Sequence, residues 1–576
     1  MSGLLLQEFD RLAQAPGGVA RLRELILSLA VRGKLVPQDP GDEPASVLLQ
    51  RIRAEKGRLI AEGSIKRDKP LPPISEQEKP FDLPEGWEWV RLSDLTQKIG
   101  AGSTPLGGRE VYVSTGIKFL RSQNVWNDGL RLDGVAYIKP ETHAKMRSTV
   151  VISNDLLFNI TGASIGRCAV VPVDFDEANV SQHVTIVRTV FPALNAFLHK
   201  VLVSRHVQQA VMDVQVGVSR EGLSIAKLGL FLTPLPPVEE QSRIVARVDE
   251  LMRLCDTLEA KGRLEAEQHT RLLDSVLGTL TDSATPEELA ANWQRVAEHF
   301  DLLLDRPEAV DVLEQTILQL AVRGLLVPQD PADEPASSLI QRVRQEKERL
   351  IAEGKAKLDK SVQLVAEDEQ QPALPEGWSW TQLREIVVSS EAGWSPSCEE
   401  TPRRDGRWGV LKVSAVSWGS FDSTANKELP LELDPRPELE VRDGDFLLSR
   451  ANTADLVARS VLVVAPPPML MLSDKIIRLK LSPQVDARYI NLFNNGDDAR
   501  IYYAERASGT SSSMKNVSRE VVLGLPVALP PLAEQARIVA RVTELRRLCT
   551  ELRQRLAASQ ATQSRLAASL VESVLA

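Results

Sequence analysis

Residues 236–255 read PPVEEQSRIVARVDELMRLC, residues 530–549 read PPLAEQARIVARVTELRRLC, and fifteen of the twenty positions are identical. Pro-Pro is barred from a helix interior by its missing N–H and its ring, yet it fits ahead of a first turn. Each copy therefore reads as a rigid lead-in followed by a helix. Apolar residues then recur at alternating steps of four and three: Ile244, Val248, Leu251, Cys255 and Leu258 in one copy, Ile538, Val542, Leu545, Cys549 and Leu552 in the other. This is a heptad seam, and it predicts that the two helices pack on one another in fixed register. Counted onward, the first seam meets Gly262, Glu265 and His269 and resumes at Leu272 and Val276. The second meets Ser559 and Gln563 and resumes at Leu566 and Leu570. Two surface helices on separate domains are the competing reading.

The repetition reaches well beyond these helices. LAVRGKLVPQDPGDEPASVLLQRIRAEKGRLIAEG (29–63) returns as LAVRGLLVPQDPADEPASSLIQRVRQEKERLIAEG (320–354), with 28 of 35 positions identical. LPEGWEW (83–89) returns as LPEGWSW (374–380). The offset is 291 residues for these pairs and 294 at the Pro-Pro helices, so the chain is two units of one design. The expected segments are a helical region over 1–80, a globular domain over 81–235, a long helix over 236–280, a helical linker over 281–371, a second globular domain over 372–529 and a second long helix over 530–576. Within each unit, helical spacing at Leu22, Leu25, Ile26 and Leu29 ends at Gly33, a C-cap signal.

The globular stretches hold short β-rich runs, such as VAYI, CAVVPV and HVTIVR in the first and WGVLKVSAV and KIIRLKL in the second, separated by turn residues. The expected class is α+β. Outside their boundaries the two globular stretches share little sequence, whereas the helical parts nearly superimpose. A common frame with unlike inserts points to one shared task and two distinct recognitions.

At 576 residues and 43% apolar content the chain can form several ordinary cores. No run approaches a membrane span, and the acid-bearing start MSGLLLQEFDRL does not read as a signal peptide. The four cysteines lie far apart with no CxxC or Cys/His cluster, which fits a reducing cytoplasm and predicts no metal site. The net charge of −9 hides a local difference: residues 90–235 carry +4 and residues 381–529 carry −2. Phosphate contact needs a local basic surface, not a basic total.

Catalytic signatures do not emerge. There is no GxxxxGK[ST], no HExxH, no Pro-Asp pair to begin a nuclease metal motif and no Asn/Asp-Pro-Pro-aromatic motif for amino-methylation. What remains suits binding. RSQNVW places Arg121, Ser122, Gln123 and Asn124 beside an indole. Arg forks onto guanine and Gln or Asn pairs with adenine, so this is a composition fit for reading base edges. Thr161 and Ser164 lie on a Gly-rich turn, Ser181 and Gln182 open a strand, and Ser219 and Arg220 sit in GVSREG. In the second unit the counterparts are Lys412 and Ser414, then Arg450, Asn452 and Thr453, then Lys475, and then Thr510, Ser511 and Lys515. An ordinary turn is the alternative at each.

Two globular domains, each preceded by LPEGW, left through LPxPP-x-x-EQ-x-RIV and followed by a long helix, resemble the specificity subunit of type I restriction–modification systems. The resemblance covers essentially the whole chain. It implies two target recognition domains, each reading one half of a bipartite, asymmetric double-stranded DNA site. It also implies that the two long helices form an antiparallel coiled-coil spacer with pseudo-twofold symmetry, and that the frame docks two methyltransferase subunits, joined by restriction/translocase subunits. No cofactor would belong to this chain; S-adenosylmethionine, ATP and Mg would be used by the partner subunits. A seam of about 33 residues is roughly 50 Å long, somewhat more than one turn of DNA. Still open are a related system whose partner is a fused nuclease–methyltransferase, an assembly scaffold that binds no DNA, and a hydrolase with two divergent sites.

Overall fold

A computed structural model describes residues 9, 12–67, 71–216, 222–283, 285–354, 373–417, 419–509 and 514–575. The chain divides into two units, one made of residues 1–265 and 559–576, the other of residues 266–558. Both boundaries fall inside the long helices Val238–Thr281 and Leu532–Leu575, so each unit holds the start of one long helix and the end of the other.

In the first unit, helices Gly18–Val31 and Ala45–Ala61 form the frame. The repeated motifs meet at one junction, which explains why they repeat together. Gly33 ends the first helix at φ +64°, and a Cβ there would sit 2.4 Å from Pro84 Cγ, so the left-handed turn and the close approach of LPEGW both require glycine. The Gly86 carbonyl accepts from the Ala45 amide at the start of the next helix. Trp87 Nε1 and Gln38 Nε2 each donate to the buried Glu240 carboxylate at 2.8 Å, and Arg243 forks onto Asp42 at 2.5 and 3.1 Å. Thus LAVRG…VPQDP, LPEGW and PPxxEQ are three sides of one clamp.

The second unit builds the same clamp independently. Gly324 (φ +72°) faces Pro375, Trp378 Nε1 donates to Glu534 at 3.1 Å, Gln329 Nε2 donates to it at 3.3 Å, and Arg537 pairs with Asp333 at 2.6 Å. The frames differ in a charge arrangement on the long helix. Arg23 meets Asp256 and Glu259 at 2.7 and 2.8 Å in the first unit. At the equivalent place in the second, Glu314 meets Arg546 and Arg553, both at 3.1 Å.

The globular domains share a topology that their sequences conceal. In the first, a four-stranded antiparallel sheet runs Cys168–Val170, Leu156–Asn159, Val184–Thr189, Thr96–Ala101. In the second, Ser460–Leu462, Phe446–Ser449, Ile476–Leu481 and Val387–Ala392 follow the same order. A second sheet in each contains one parallel pair: Ile117–Leu120 with Ala178–Val180, and Gly409–Leu411 with Leu470–Met471. A two-stranded ladder closes each domain at its base, Glu88–Arg91 on Leu232–Leu235 and Ser379–Gln382 on Pro526–Leu529. Chain ends tied by a ladder let the inserts vary while the frame stays constant.

The long helices correct part of the expected seam. Ile244, Val248, Leu251 and Cys255 are buried in the first unit's core with Leu22, Leu25, Ile26 and Leu29. Ile538, Val542 and Cys549 are buried in the second unit's core, with Leu545 and Leu552 packed against it, as Leu258 is in the first. Past the polar interruption the buried residues are Leu273, Leu277 and Leu280, and Ala567 and Val574; Leu272 and Leu566 are 47% and 61% exposed. From Cys255 to Leu273, and from Cys549 to Ala567, is five turns of 3.6 residues. The apolar stripe keeps the period of a straight α-helix, whereas the heptad count of 3.5 drifts by one position over that distance.

Candidate nucleic-acid interface

Most of the residues expected to contact DNA in the first domain gather where the two sheets adjoin. The turn Ser181–Val184 links the parallel strand Ala178–Val180 to the central strand Val184–Thr189. Its Ser181 amide donates to the Leu120 carbonyl, next to Arg121, and the Ile160 amide donates to the His183 carbonyl, next to Thr161. Side chains extend this network. Thr104 Oγ1 donates to Gln182 Oε1, the Gln182 amide nitrogen lies 3.1 Å from His183 Nε2, and His183 Nδ1 lies 2.6 Å from Thr161 Oγ1. The buried Asn159 donates to the Ser122 carbonyl and to Ser164 Oγ, which holds the neighbouring loops together. Gln182, Gln123 and His183 are exposed.

Two expectations change. Asn124 is 1% exposed; its Oδ1 accepts from the Arg121 amide and its Nδ2 donates to the Arg131 carbonyl, so the amide shapes the turn and presents no edge. Ser181 is buried beneath the turn with a hydroxyl that finds no protein partner. Trp126, the indole of RSQNVW, is flanked by the guanidinium groups of Arg131 and Arg167, each 3.7 Å from its ring centroid. Ser219, Arg220, Thr510 and Ser511 lie outside the described residues.

The second domain gathers a comparable group. The Arg450 amide donates to the Lys475 carbonyl at 2.7 Å, and the Lys515–Asn516 strand pairs with Ala451–Asn452. Asn452 donates to Ser417 Oγ at 2.8 Å and accepts from the Thr453 amide, and Lys515 Nζ donates to the Gly509 carbonyl. Lys412 caps the short 3-10 turn that contains Ser414. Arg450 and Lys475 are exposed.

Reading the sequence missed Arg403, Arg404 and Arg407. Arg404 and Arg407 flank the buried Glu428, whose carboxyl the Arg404 hydrogen bonds hold down to about 2, and Arg403 donates to the Arg407 carbonyl. Arg404 remains 75% exposed, a cation anchored to Glu428 and open to solvent. The signal was present in TPRRDGR (401–407), three arginines in five residues of a domain whose net charge is negative. Also missed were Thr104 and Ser395, which meet their partners 78 and 79 residues away.

Among the described residues, no cluster of His, Cys, Asp or Glu could hold a metal ion, and no helix is long and apolar enough to cross a membrane. A duplicated frame that presents two domains of one topology, each with a surface of anchored amides, hydroxyls and cations, defines a modular recognition protein. Residues 84–268 match the family described as the type I restriction modification DNA specificity domain. The chain is 40% identical to the type I restriction enzyme EcoEI specificity subunit of Escherichia coli over 97% of its own length and 94% of that protein's. It is 34% identical to the EcoAI specificity subunit of Escherichia coli over the same shares. In fold it is similar to a chain from a study of complex assembly and conformational transition of the type I R-M system, with TM-score 0.50 and 20% identity over 86% of this chain and 99% of that one. The chain belongs to the specificity subunits of type I restriction–modification enzymes, and it is a non-catalytic member of such an enzyme.

Proposed function

We propose that the chain reads an asymmetric, bipartite site in double-stranded DNA, one half with each globular domain, and that the frame carries the enzyme's other subunits. Unlike halves follow from unlike inserts on one frame. The carrying observation is that two domains of one topology are tied by equivalent ladders to nearly identical clamps, yet differ in the polar groups they expose. Contacts from Arg404 and Arg450 suit phosphates, which fix register, while exposed amides such as those of Gln123 and Gln182 suit base edges.

The long helices, 44 residues each and thus about 66 Å, act in this reading as an antiparallel spacer. Support comes from the way each unit's core takes in the end of the helix that starts in the other unit. Two methyltransferase subunits dock on the frame, one per repeat, and restriction/translocase subunits join them. S-adenosylmethionine, ATP and Mg are bound by those partners. A footprint of the assembled chain and methyltransferase on DNA tests this. Protection of two short, unlike blocks separated by unread base pairs is the expected result, and protection without sequence preference would leave only a scaffold.

A further inference from the structure

The turns Ser181–Val184 and Ser473–Ile476 are built alike down to individual hydrogen bonds. Four backbone bonds recur at equivalent places: Gly102 to Val184 and Gly393 to Ile476, Ser103 to Val180 and Trp394 to Leu472, Val184 to Ser181 and Ile476 to Ser473, Ile160 to His183 and Arg450 to Lys475, each written amide first. Both turns rest on a glycine with no room for a side chain. A Cβ at Gly102 would lie 2.1 Å from the Val180 carbonyl oxygen, and one at Gly393 would lie 2.1 Å from that of Leu472. Both bury a serine, Ser181 and Ser473, whose hydroxyl has no protein partner. In both, a hydroxyl three residues past the end of the strand beside the turn holds the second turn residue: Thr104 donates to Gln182, and Ser395 donates to Asp474 at 2.5 Å.

On this constant support the two presented residues differ in chemistry. The first domain offers an amide and an imidazole, Gln182 and His183. The second offers a carboxylate and an ammonium, Asp474 and Lys475, 3.6 Å apart. A backbone held this closely, with the side chain itself anchored, loses little freedom on meeting a ligand, and a fixed donor–acceptor edge is what base discrimination needs.

We propose that these two turns are a specificity-determining position shared by the domains, at which the two half-sites are told apart. The inference rests on the DNA-reading function proposed above. The amide of Gln182 offers one donor and one acceptor, the complement of the adenine N7 and N6 edge, so the first domain reads an A·T pair here. Lys475 donates to guanine O6 or N7 and Asp474 accepts from cytosine N4, so the second domain reads a G·C pair.

The test is the Q182D/H183K exchange in the full chain, co-expressed with its methyltransferase, with target preference read by sequencing the modified DNA. The unmodified chain is read first: if it shows no bipartite target, the proposed function itself fails, whatever the turn does. Given a bipartite target, the exchange should shift one base pair of the first domain's half from A·T towards G·C by at least about tenfold. The other half should stay unchanged. Unaltered preference in both halves, or an even loss of modification over all sequences, would overturn the assignment, since the latter marks a phosphate contact. Should the double variant not fold, as judged by its circular dichroism melt, Gln182→Glu replaces it: isosteric, but without the amide donor. It should relax the A·T preference at that same pair, and an unchanged preference would overturn the proposal equally.

Discussion

Trp87→Phe is a sharp test of the clamp that joins the repeated motifs. Glu240 is 1% exposed and accepts two hydrogen bonds of 2.8 Å, from Trp87 Nε1 and Gln38 Nε2. Burial raises its carboxyl above the usual carboxylate range, against the pull of those donors. Phenylalanine removes one donor and leaves the carboxylate half-satisfied, which costs about 2 kcal/mol, and the lost indole ring adds about 1 kcal/mol. For amides that exchange only when the first unit opens, a loss of about 3 kcal/mol means exchange on the order of 100-fold faster. Hydrogen exchange over residues 244–255 reads this directly, and peptides from residues 538–549 serve as the internal control. Glu240→Gln removes the charge and keeps one acceptor, so alone it should cost about 1 kcal/mol, and it should recover at least about 1 kcal/mol in the Trp87→Phe background. The pH dependence has a definite sign. A carboxyl raised in the folded state binds its proton more tightly there, so its contribution to stability falls as pH rises through the unfolded value to the folded one and is then constant. Glu240→Gln abolishes that fall. Exchange in Trp87→Phe within about threefold of the unmodified chain, or full additivity of the two substitutions, would refute the reasoning.

Other consequences follow from single contacts. Arg23→Glu places like charges beside Asp256 and Glu259 and should destabilise the first unit by about 1 kcal/mol, less in high salt because the pairs are partly exposed; adding Asp256→Arg and Glu259→Arg should restore it, and a melt at two ionic strengths checks this. Gly102→Ala meets backbone oxygens of Val180 and Ser181 at 2.1 and 2.3 Å, so a loss of about 3 kcal/mol and faster exchange over residues 181–187 are expected. Burial raises the thiols of Cys168, Cys255, Cys398 and Cys549, but only Cys398 is partly exposed, so maleimide on the native chain should label Cys398 first and all four only after denaturation, as read by mass spectrometry.

The frame was legible because its parts are local and repeated. Helical spacing, Gly33 as the C-cap, LPEGW and the Pro-Pro lead-in each carry their signal within a few residues, and duplication marks them as one device. Their meeting at Glu240 was not legible, since Trp87 and Gln38 reach it from 153 and 202 residues away. Beyond the interruption the heptad count slipped at Leu272, Leu566 and Leu570 for a physical reason, while Val276 packs against the second unit's core. A count of 3.5 and a straight helix agree over the few turns from Ile244 to Cys255, and they differ by a whole position at Leu273. In the domains, residue type suggested recognition but could not say which amides were spent on turns. Asn124 and Gln123 are adjacent in RSQNVW, yet one is buried by its own turn and the other faces solvent. The common topology was hidden because core positions accept many apolar residues, while the ladder at each domain's base depends on backbone bonds that leave little trace in sequence.

Those ladders supply the most direct measurement. Replacing residues 88–235 with a second copy of residues 379–529 preserves the paired strands at the base and the clamp beside them. Expressed with the methyltransferase, and with modified sites sequenced, the chimera should keep the second domain's half-site and carry that same short sequence in place of the first. If both halves changed, or neither did, the domains would not be independent readers on a shared frame.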